Sequence, residues 1–231
     1  MISHANVPGG GPHQGQRVVR GGAPLDRAGA AVILVHGRGA TAESILGLSD
    51  AFAQPGVAYL APQAAGNTWY PHSFLAPLER NEPWLGSALR ALDDVRREVE
   101  AAGIPARRTV LLGFSQGACL ALEYGARHAR RFGGLVGLSG GLIGTGQRPG
   151  AAPPEDKTFD YAGSLDATPV FAGCSDVDAH IPVRRVHQTS AALRALGGDV
   201  TERIYPGMGH VVNEDEVAYV RELLAAVVAS A

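Results

Sequence analysis

The chain has 231 residues, of which 45% are hydrophobic and 18% are charged, and its formal net charge at pH 7 is −2. This composition predicts a packed domain rather than a disordered chain. The slightly negative net charge argues against a nucleic-acid-binding surface, and no apolar run has bilayer length, so neither a nucleic-acid partner nor stable membrane insertion is expected.

The first 16 residues are rich in glycine and proline and contain no apolar stretch of signal-peptide length. They predict a flexible N-terminal tail on residues 1–16, followed by one domain over residues 17–231. Cys119 and Cys174 are too few for a disulfide framework. We therefore expect a cytoplasmic protein.

Short aliphatic runs alternate with helical patterns along the rest of the chain. The helix pattern over 83–102 repeats Leu85, Leu89 and Leu92 at helical spacing, and Asn213 with Glu216 resembles a capping box at the start of the last helix. Strand, helix, strand, helix predicts an α/β fold, a mostly parallel central sheet with helices on both faces. The predicted strands are 31–36, 57–61, 109–114, 135–139, 169–173 and the more polar 200–205.

Two segments rich in loop residues follow predicted strands, at 63–82 and 140–166. The loops at the carboxyl ends of parallel strands build ligand sites, so both segments are candidate pocket walls. Four apolar side chains of the first segment are predicted to line a substrate pocket, with packing in the core as the competing interpretation. These are Trp69, Tyr70, Phe74 and Leu75.

The sequence Gly113-Phe114-Ser115-Gln116-Gly117 lies between a predicted strand and an apolar helix pattern over 116–128. A nucleophile on such a sharp turn needs glycine two residues away on either side, because a Cβ there has no room. Residues 137–141 also fit Gly-x-Ser-x-Gly, but no helix pattern follows Ser139. We therefore assign the nucleophile to Ser115.

A serine hydroxyl needs a base, and the base needs a third group that holds its tautomer. His210 lies in a glycine-rich loop between the last predicted strand and the last helix, where this fold carries the base. The acid follows the strand 169–173, and spacing alone leaves Asp176 and Asp178 open. His180 is too close in sequence to both aspartates to act as the base.

The turn Leu34-Val35-His36-Gly37-Arg38-Gly39 follows an early strand. One backbone amide of an oxyanion hole comes from such a turn, and the Gln116 amide is the other. The histidines lack the paired spacing of a zinc site, so neither a metal nor another cofactor is expected.

Together these segments resemble the phospholipase/carboxylesterase family of the α/β-hydrolases, which includes bacterial carboxylesterases and acyl-protein thioesterases. The similarity runs from about Val32 to the C-terminus and is carried by LVHGRGA, YLAPQA, WYP, GFSQGACLAL, GLSGGL, DVDAHIP and YPGMGH. It implies Asp178, four residues before Pro182, as the acid, and the amides of Arg38 and Gln116 as the oxyanion hole. Arg38 replaces an apolar residue common in the family.

The resemblance implies a serine carboxylesterase that acts on small to medium acyl esters through an acyl-serine intermediate, with a small-molecule ester as its partner. Acyl thioesterase and lysophospholipase-like activities use the same machinery. Two rivals are a dienelactone-type hydrolase, which usually has cysteine at the elbow, and a non-catalytic small-molecule-binding protein on this scaffold. Any self-association is expected to be a homodimer.

Overall fold

The computed structural model describes residues 10–145 and 157–230, and within them seven strands form a single sheet in the order β1-β3-β2-β4-β5-β6-β7. β1 pairs antiparallel with β3, and every other neighbouring pair of this described sheet is parallel. The strands are β1 (Val18–Gly22), β2 (Ala30–Val35), β3 (Val57–Pro62), β4 (Thr109–Phe114), β5 (Gly134–Leu138), β6 (Pro169–Ser175) and β7 (Asp199–Tyr205).

The predicted mostly parallel sheet is confirmed, and the six predicted strands form within two residues of their expected ends. β1 was not predicted. It is a short strand, VVRGG, that ends in two glycines and pairs only at the edge of the sheet. Glycine weakens a strand pattern, and an edge strand does not need the continuous apolar run of a buried one.

Five α-helices cover the described sheet: α1 (Ala42–Leu48), α2 (Trp84–Ala101), α3 (Gln116–Arg127), α4 (Val183–Ala195) and α5 (Glu214–Ala229). The predicted capping box of α5 forms, since the Asn213 side chain accepts from the backbone of Glu216 and the Glu216 side chain accepts in return. A second capping box, from Thr41 and Ser44, begins α1. α1 was not predicted, because seven residues are too few for a clear period.

The alternation of side chains along the strands separates two apolar cores, one on each face of the sheet. In β2, Ile33 and Val35 face one core with α2, α3 and α4, while Val32 and Leu34 face the other with α1 and α5. All six residues of β2 are buried, as they are in β3. The central strands are therefore held on both faces, and their carboxyl ends form a firm base for loops.

Residues 10–16 pack onto this unit, although the sequence predicts a flexible tail there. The His13 side chain is 2% exposed and its Nδ1 accepts from the Ala65 amide at 3.1 Å, which leaves Nε2–H to donate to the Trp69 carbonyl oxygen at 2.9 Å. The His13 amide donates to Ser87 Oγ at 2.9 Å. Residues 10–16 thus belong to the folded part of the chain, and residues 1–9 of the predicted tail lie outside the described residues.

Candidate active site

Ser115 lies on the tight turn between β4 and α3, with φ of 57° and ψ of −120°. Few non-glycine residues adopt this backbone conformation. A Cβ built on Gly113 would lie 2.2 Å from the Gly117 carbonyl oxygen, and one on Gly117 would lie 2.0 Å from the Val35 carbonyl oxygen. The predicted need for two glycines is confirmed, because any side chain at either position would meet backbone atoms.

The structure brings Ser115, His210 and Asp178 into one hydrogen-bonded line. His210 Nδ1 lies 2.7 Å from Asp178 Oδ2, and His210 Nε2 lies 2.8 Å from Ser115 Oγ. A carboxylate only accepts, so Nδ1–H donates to Asp178 and Nε2 is left to accept from the serine hydroxyl. In this tautomer the imidazole is set to remove the hydroxyl proton.

The Asp178 side chain is fully buried, whereas that of His210 is 20% exposed. Burial by itself would raise the pKa of Asp178, but hydrogen bonds from His210 and from the amides of His180 and Ile181 outweigh burial and hold this pKa below its ordinary value. Asp178 is therefore ionised at neutral pH and can stabilise an imidazolium at His210.

The competing acid, Asp176, faces another partner. Its Oδ1 accepts from the Gly207 amide at 2.8 Å, and nearby Ser175 Oγ accepts from the Gly209 amide at 3.1 Å. These bonds tie the glycine-rich loop of His210 to the end of β6. Of the two aspartates that spacing left open, Asp178 contacts the imidazole and Asp176 holds the loop.

The turn after β2 lies against the serine turn. A Cβ on Gly37 would lie only 3.4 Å from Ser115 Cβ. His36 is buried: its Nε2 accepts from the Ala64 amide at 3.1 Å, and its Nδ1–H donates to the Gly37 carbonyl oxygen at 2.8 Å. Burial lowers the pKa of His36, so the ring is neutral and fixes the turn that carries the Arg38 amide.

The Gln116 side chain joins the serine turn to the loop after β3, a contact that the sequence did not predict. Its Oε1 accepts from the Trp69 amide at 2.9 Å and its Nε2 donates to the Tyr70 carbonyl oxygen at 2.8 Å. The Trp69 indole N–H donates to the His36 carbonyl oxygen at 2.8 Å. Residues 69 and 70 therefore bridge the two turns whose amides were assigned to an oxyanion hole.

A cavity of about 510 Å³ opens above Ser115 and His210. Tyr70 and Phe74 line it, as predicted from the sequence, together with Phe114, Ile181 and residues of the turns after β2 and β4. Trp69 and Leu75 are not among the lining residues. Trp69 is fully buried below the wall and Leu75 packs against the core, so for these two the competing interpretation, core packing, describes their position.

Three further residues that the sequence offered as candidates for catalysis lie outside the line of hydrogen bonds from Ser115 to Asp178. Ser139 directly follows β5 with φ of 52°, is fully buried, and is followed by loop rather than helix. The His180 ring packs edge-on against His210 at 4.8 Å between centroids and lines the cavity, a contact that sequence reasoning missed. Cys119 is buried in α3, and burial raises the pKa of its thiol to about 12, so it is not a thiolate nucleophile.

The first candidate wall segment, 63–82, supplies the cavity residues 70–74. No described residue of the second, 140–166, lines the cavity, and its residues 146–156 lie outside the described part.

In residues 10–145 and 157–230, no group of three or more His, Cys, Asp and Glu side chains is placed to hold a metal ion. No helix of the described chain has both the length and the apolar character needed to cross a bilayer.

A mostly parallel sheet, a serine on a strained strand-to-helix turn and a Ser-Asp-His order along the chain define an α/β-hydrolase. The family model described as Phospholipase/Carboxylesterase matches residues 16–228, and the chain belongs to this family of serine hydrolases. The resemblance stated from the motifs is confirmed.

Among solved structures, a phospholipase/carboxylesterase from Dyadobacter fermentans is 40% identical, with a TM-score of 0.82 over 91% of this chain and 96% of that one. Zea mays acyl-protein thioesterase 2, at 20% identity and a TM-score of 0.69 over 92% of this chain and 99% of that one, shares the fold. Acyl-protein thioesterase 1 of Gibberella zeae is 33% identical over 134 residues, 56% of this chain and 52% of that protein. The chain spans about half the length of the curated relatives it matches.

Proposed function

We propose that this protein is a serine carboxylesterase that hydrolyses small to medium acyl esters through an acyl-serine intermediate. Ser115 is the nucleophile, His210 the general base and acid, and Asp178 the group that orients and stabilises His210. The observation that carries the proposal is the unbroken pair of hydrogen bonds, 2.7 Å and 2.8 Å, that ends at a serine on the floor of a cavity.

In the first step Ser115 Oγ attacks the ester carbonyl carbon while its proton passes to His210 Nε2. The carbonyl oxygen becomes an oxyanion, which accepts hydrogen bonds from the amides of Arg38 and Gln116. Collapse of this intermediate breaks the bond to the alcohol, which leaves with the proton from His210. Water then attacks the acyl-serine by the same route and releases the carboxylic acid.

The wall of the cavity supports a limit on substrate size. The apolar side chains Phe74, Phe114 and Ile181 line it, and its volume of about 510 Å³ is in the range typical of small-molecule sites. Such a cavity accommodates an acyl group of moderate length beside an alcohol. A long-chain lysophospholipid would extend into solvent, and a series of 4-nitrophenyl esters of rising chain length measures this limit.

Covalent labelling with a fluorophosphonate probe tests the nucleophile. The wild-type protein is expected to be labelled and Ser115→Ala is not. Ser139→Ala is the matched control, because it removes the serine of the second Gly-x-Ser-x-Gly sequence. Labelling lost in Ser139→Ala and kept in Ser115→Ala would reverse the assignment. An intact, folded wild-type protein that takes no label would favour the non-catalytic binding protein.

A thioesterase is the second candidate, favoured by the similarity to proteins named acyl-protein thioesterase 1 from Gibberella zeae and Neurospora crassa. Thioester hydrolysis uses the same acyl-serine chemistry, so only the leaving group differs. Phenyl butyrate and S-phenyl thiobutyrate carry the same acyl group. A much higher kcat/KM for the thioester would support the thioesterase, and comparable or higher values for the oxygen ester support the carboxylesterase.

The cytoplasmic location and the homodimer stay predictions. Two free, buried cysteines are compatible with a reducing compartment. Size-exclusion chromatography with light scattering measures the oligomeric state directly.

A further inference from the structure

The Arg38 side chain is held at the cavity above Ser115 by the opposite wall. Its Nη1 donates to the Pro71 carbonyl oxygen at 2.9 Å and its Nη2 to the His72 carbonyl oxygen at 2.7 Å. The guanidinium carbon lies 6.0 Å from the centre of the Tyr70 ring. Pro71, His72 and Tyr70 all line the cavity, so these contacts fix the guanidinium beside it.

The charge of this guanidinium has no carboxylate partner in the described chain. Both bonds that hold it go to backbone carbonyl oxygens, and the described ion pairs do not include Arg38. No aspartate or glutamate among the described residues lines the cavity. Asp178 does not line the cavity: it is behind His210 with its side chain fully buried, and its carboxylate accepts from that imidazole and from the amides of His180 and Ile181. The cavity therefore has a fixed positive charge that no described residue of its wall neutralises.

Two further features suit this charge to an anion. A guanidinium carries more N–H donors than the two bonds use, and a carboxylate or phosphate can accept from it in a paired geometry. His72 and His180 also line the cavity, and each adds donors without adding negative charge. A cleft lined by one sign of charge concentrates ligands of the opposite sign.

We infer that the substrate of this enzyme carries an anionic group, a carboxylate or a phosphate, within reach of Arg38 when its ester carbonyl is at Ser115. The Arg38 side chain is then the specificity-determining group, in addition to the proposed role of the Arg38 amide. This inference rests on the proposed esterase function and names its substrate class. The anion belongs to the acyl part or to the alcohol part of the ester, and the two are separated by experiment.

The test compares each anionic ester with its uncharged methyl ester. Mono-(4-nitrophenyl) glutarate and its methyl ester place the charge in the acyl part, and 3-carboxyphenyl acetate and its methyl ester place it in the alcohol part. The wild-type enzyme is expected to favour the anionic member of one pair by about tenfold in kcat/KM, which corresponds to about 1.4 kcal/mol. The preference is expected to fall with added salt, because salt screens an exposed charge.

Arg38→Gln is expected to abolish this preference, which is read as the ratio of kcat/KM values within each variant. Arg38→Lys keeps the charge and is expected to keep most of the ratio. Arg80→Gln removes an exposed arginine that does not line the cavity, and it is expected to leave the ratio unchanged.

Equal kcat/KM for both members of both pairs in the wild-type enzyme would overturn the inference while leaving the esterase intact. The inference also fails if Arg38→Gln lowers activity on charged and uncharged esters alike, since Arg38 would then act only as a clamp on the loop. Failure to hydrolyse any ester, with no fluorophosphonate labelling, would instead reject the proposed function.

Discussion

Glu216 is a fully buried carboxyl group at the start of α5, the helix that follows the loop of His210. Its Oε2 accepts from the Asn213 amide at 3.0 Å, and its Oε1 has no hydrogen-bond partner among the described residues. A Cβ on Gly173 would lie 2.2 Å from Oε1, so the strand β6 presses directly against this carboxyl. Burial raises the pKa of Glu216 to about 7, although the Asn213 bond opposes this.

This pKa makes folding stability depend on pH. The ordinary pKa of a glutamate is 4.5, and the unfolded chain loses its proton there, while the folded chain keeps it until about pH 7. Between these values the folded state binds more protons, so the free energy of unfolding falls as pH rises. At about 1.4 kcal/mol for each pH unit, the full loss above pH 7 is roughly 3 kcal/mol.

Glu216→Gln removes the charge and keeps a carbonyl oxygen for the Asn213 amide. Urea unfolding of wild type and variant is measured at about pH 5, where the folded carboxyl is protonated, and at about pH 8.5, where it is ionised. The stability of the variant relative to wild type is expected to increase by about 2.5 kcal/mol between the two, slightly less than the full loss because the unfolded carboxyl is already partly ionised at pH 5. Any fixed effect of the amide group on packing cancels in this comparison.

Glu214→Gln, in the same helical turn but exposed, controls for the loss of a negative charge at a helix N-terminus, which is worth up to about 1 kcal/mol. The reasoning is refuted if Glu216→Gln has the same relative stability at both pH values. It is refuted equally if the free energy of unfolding of the wild type increases relative to that of Glu216→Gln as pH rises, because the carboxylate would then be stabilised by its site.

Two further changes test the geometry of the active site. Gly117→Ala places a methyl group about 2.0 Å from a carbonyl oxygen at the end of β2, and we expect it to lower both the melting temperature and ester hydrolysis, the latter by at least about 100-fold. Gly47→Ala, which has open space around it, is its control in both assays. Asp178→Asn is expected to lower kcat by about 10⁴-fold, because the amide favours the wrong tautomer of His210 and offers no charge to an imidazolium. Asp176→Asn leaves the bond between Asp178 and His210 in place and is expected to lose far less activity; equal losses would contradict the assignment.

The fold could be predicted from the sequence wherever burial imposes a period. Strands such as β2 and β4 are buried on both faces, and their unbroken aliphatic runs mark them within two residues. The elements that escaped prediction, β1 and α1, are five and seven residues long. Each is stabilised by contacts with distant parts of the chain, and such contacts leave no local period.

In the candidate site, likewise, the sequence predicts some residues and leaves another open. Ser115 could be found because a strained turn requires glycines at fixed spacing, and His210 because a glycine-rich loop precedes the last helix. The choice between Asp176 and Asp178 could not be made from spacing, since both follow β6. It depends on which carboxylate the turn directs at the imidazole, and the amides of residues 180 and 181 fix Asp178 in that direction.

For the aromatic residues after β3, the sequence could not predict which side chains line the cavity and which are buried in the core. Trp69 and Phe74 have similar apolar bodies, and both were predicted to line the pocket. In the structure, Trp69 makes hydrogen bonds into the interior of the protein. Its carbonyl oxygen accepts from His13, its backbone amide donates to Gln116, and its indole N–H donates to the carbonyl oxygen of His36. Along the chain these partners are 56, 47 and 33 residues away from Trp69. A fully buried residue that is hydrogen-bonded through its backbone and its indole in this way holds the wall in position and cannot also turn to meet a ligand, so its role is decided by its partners and not by its own chemistry.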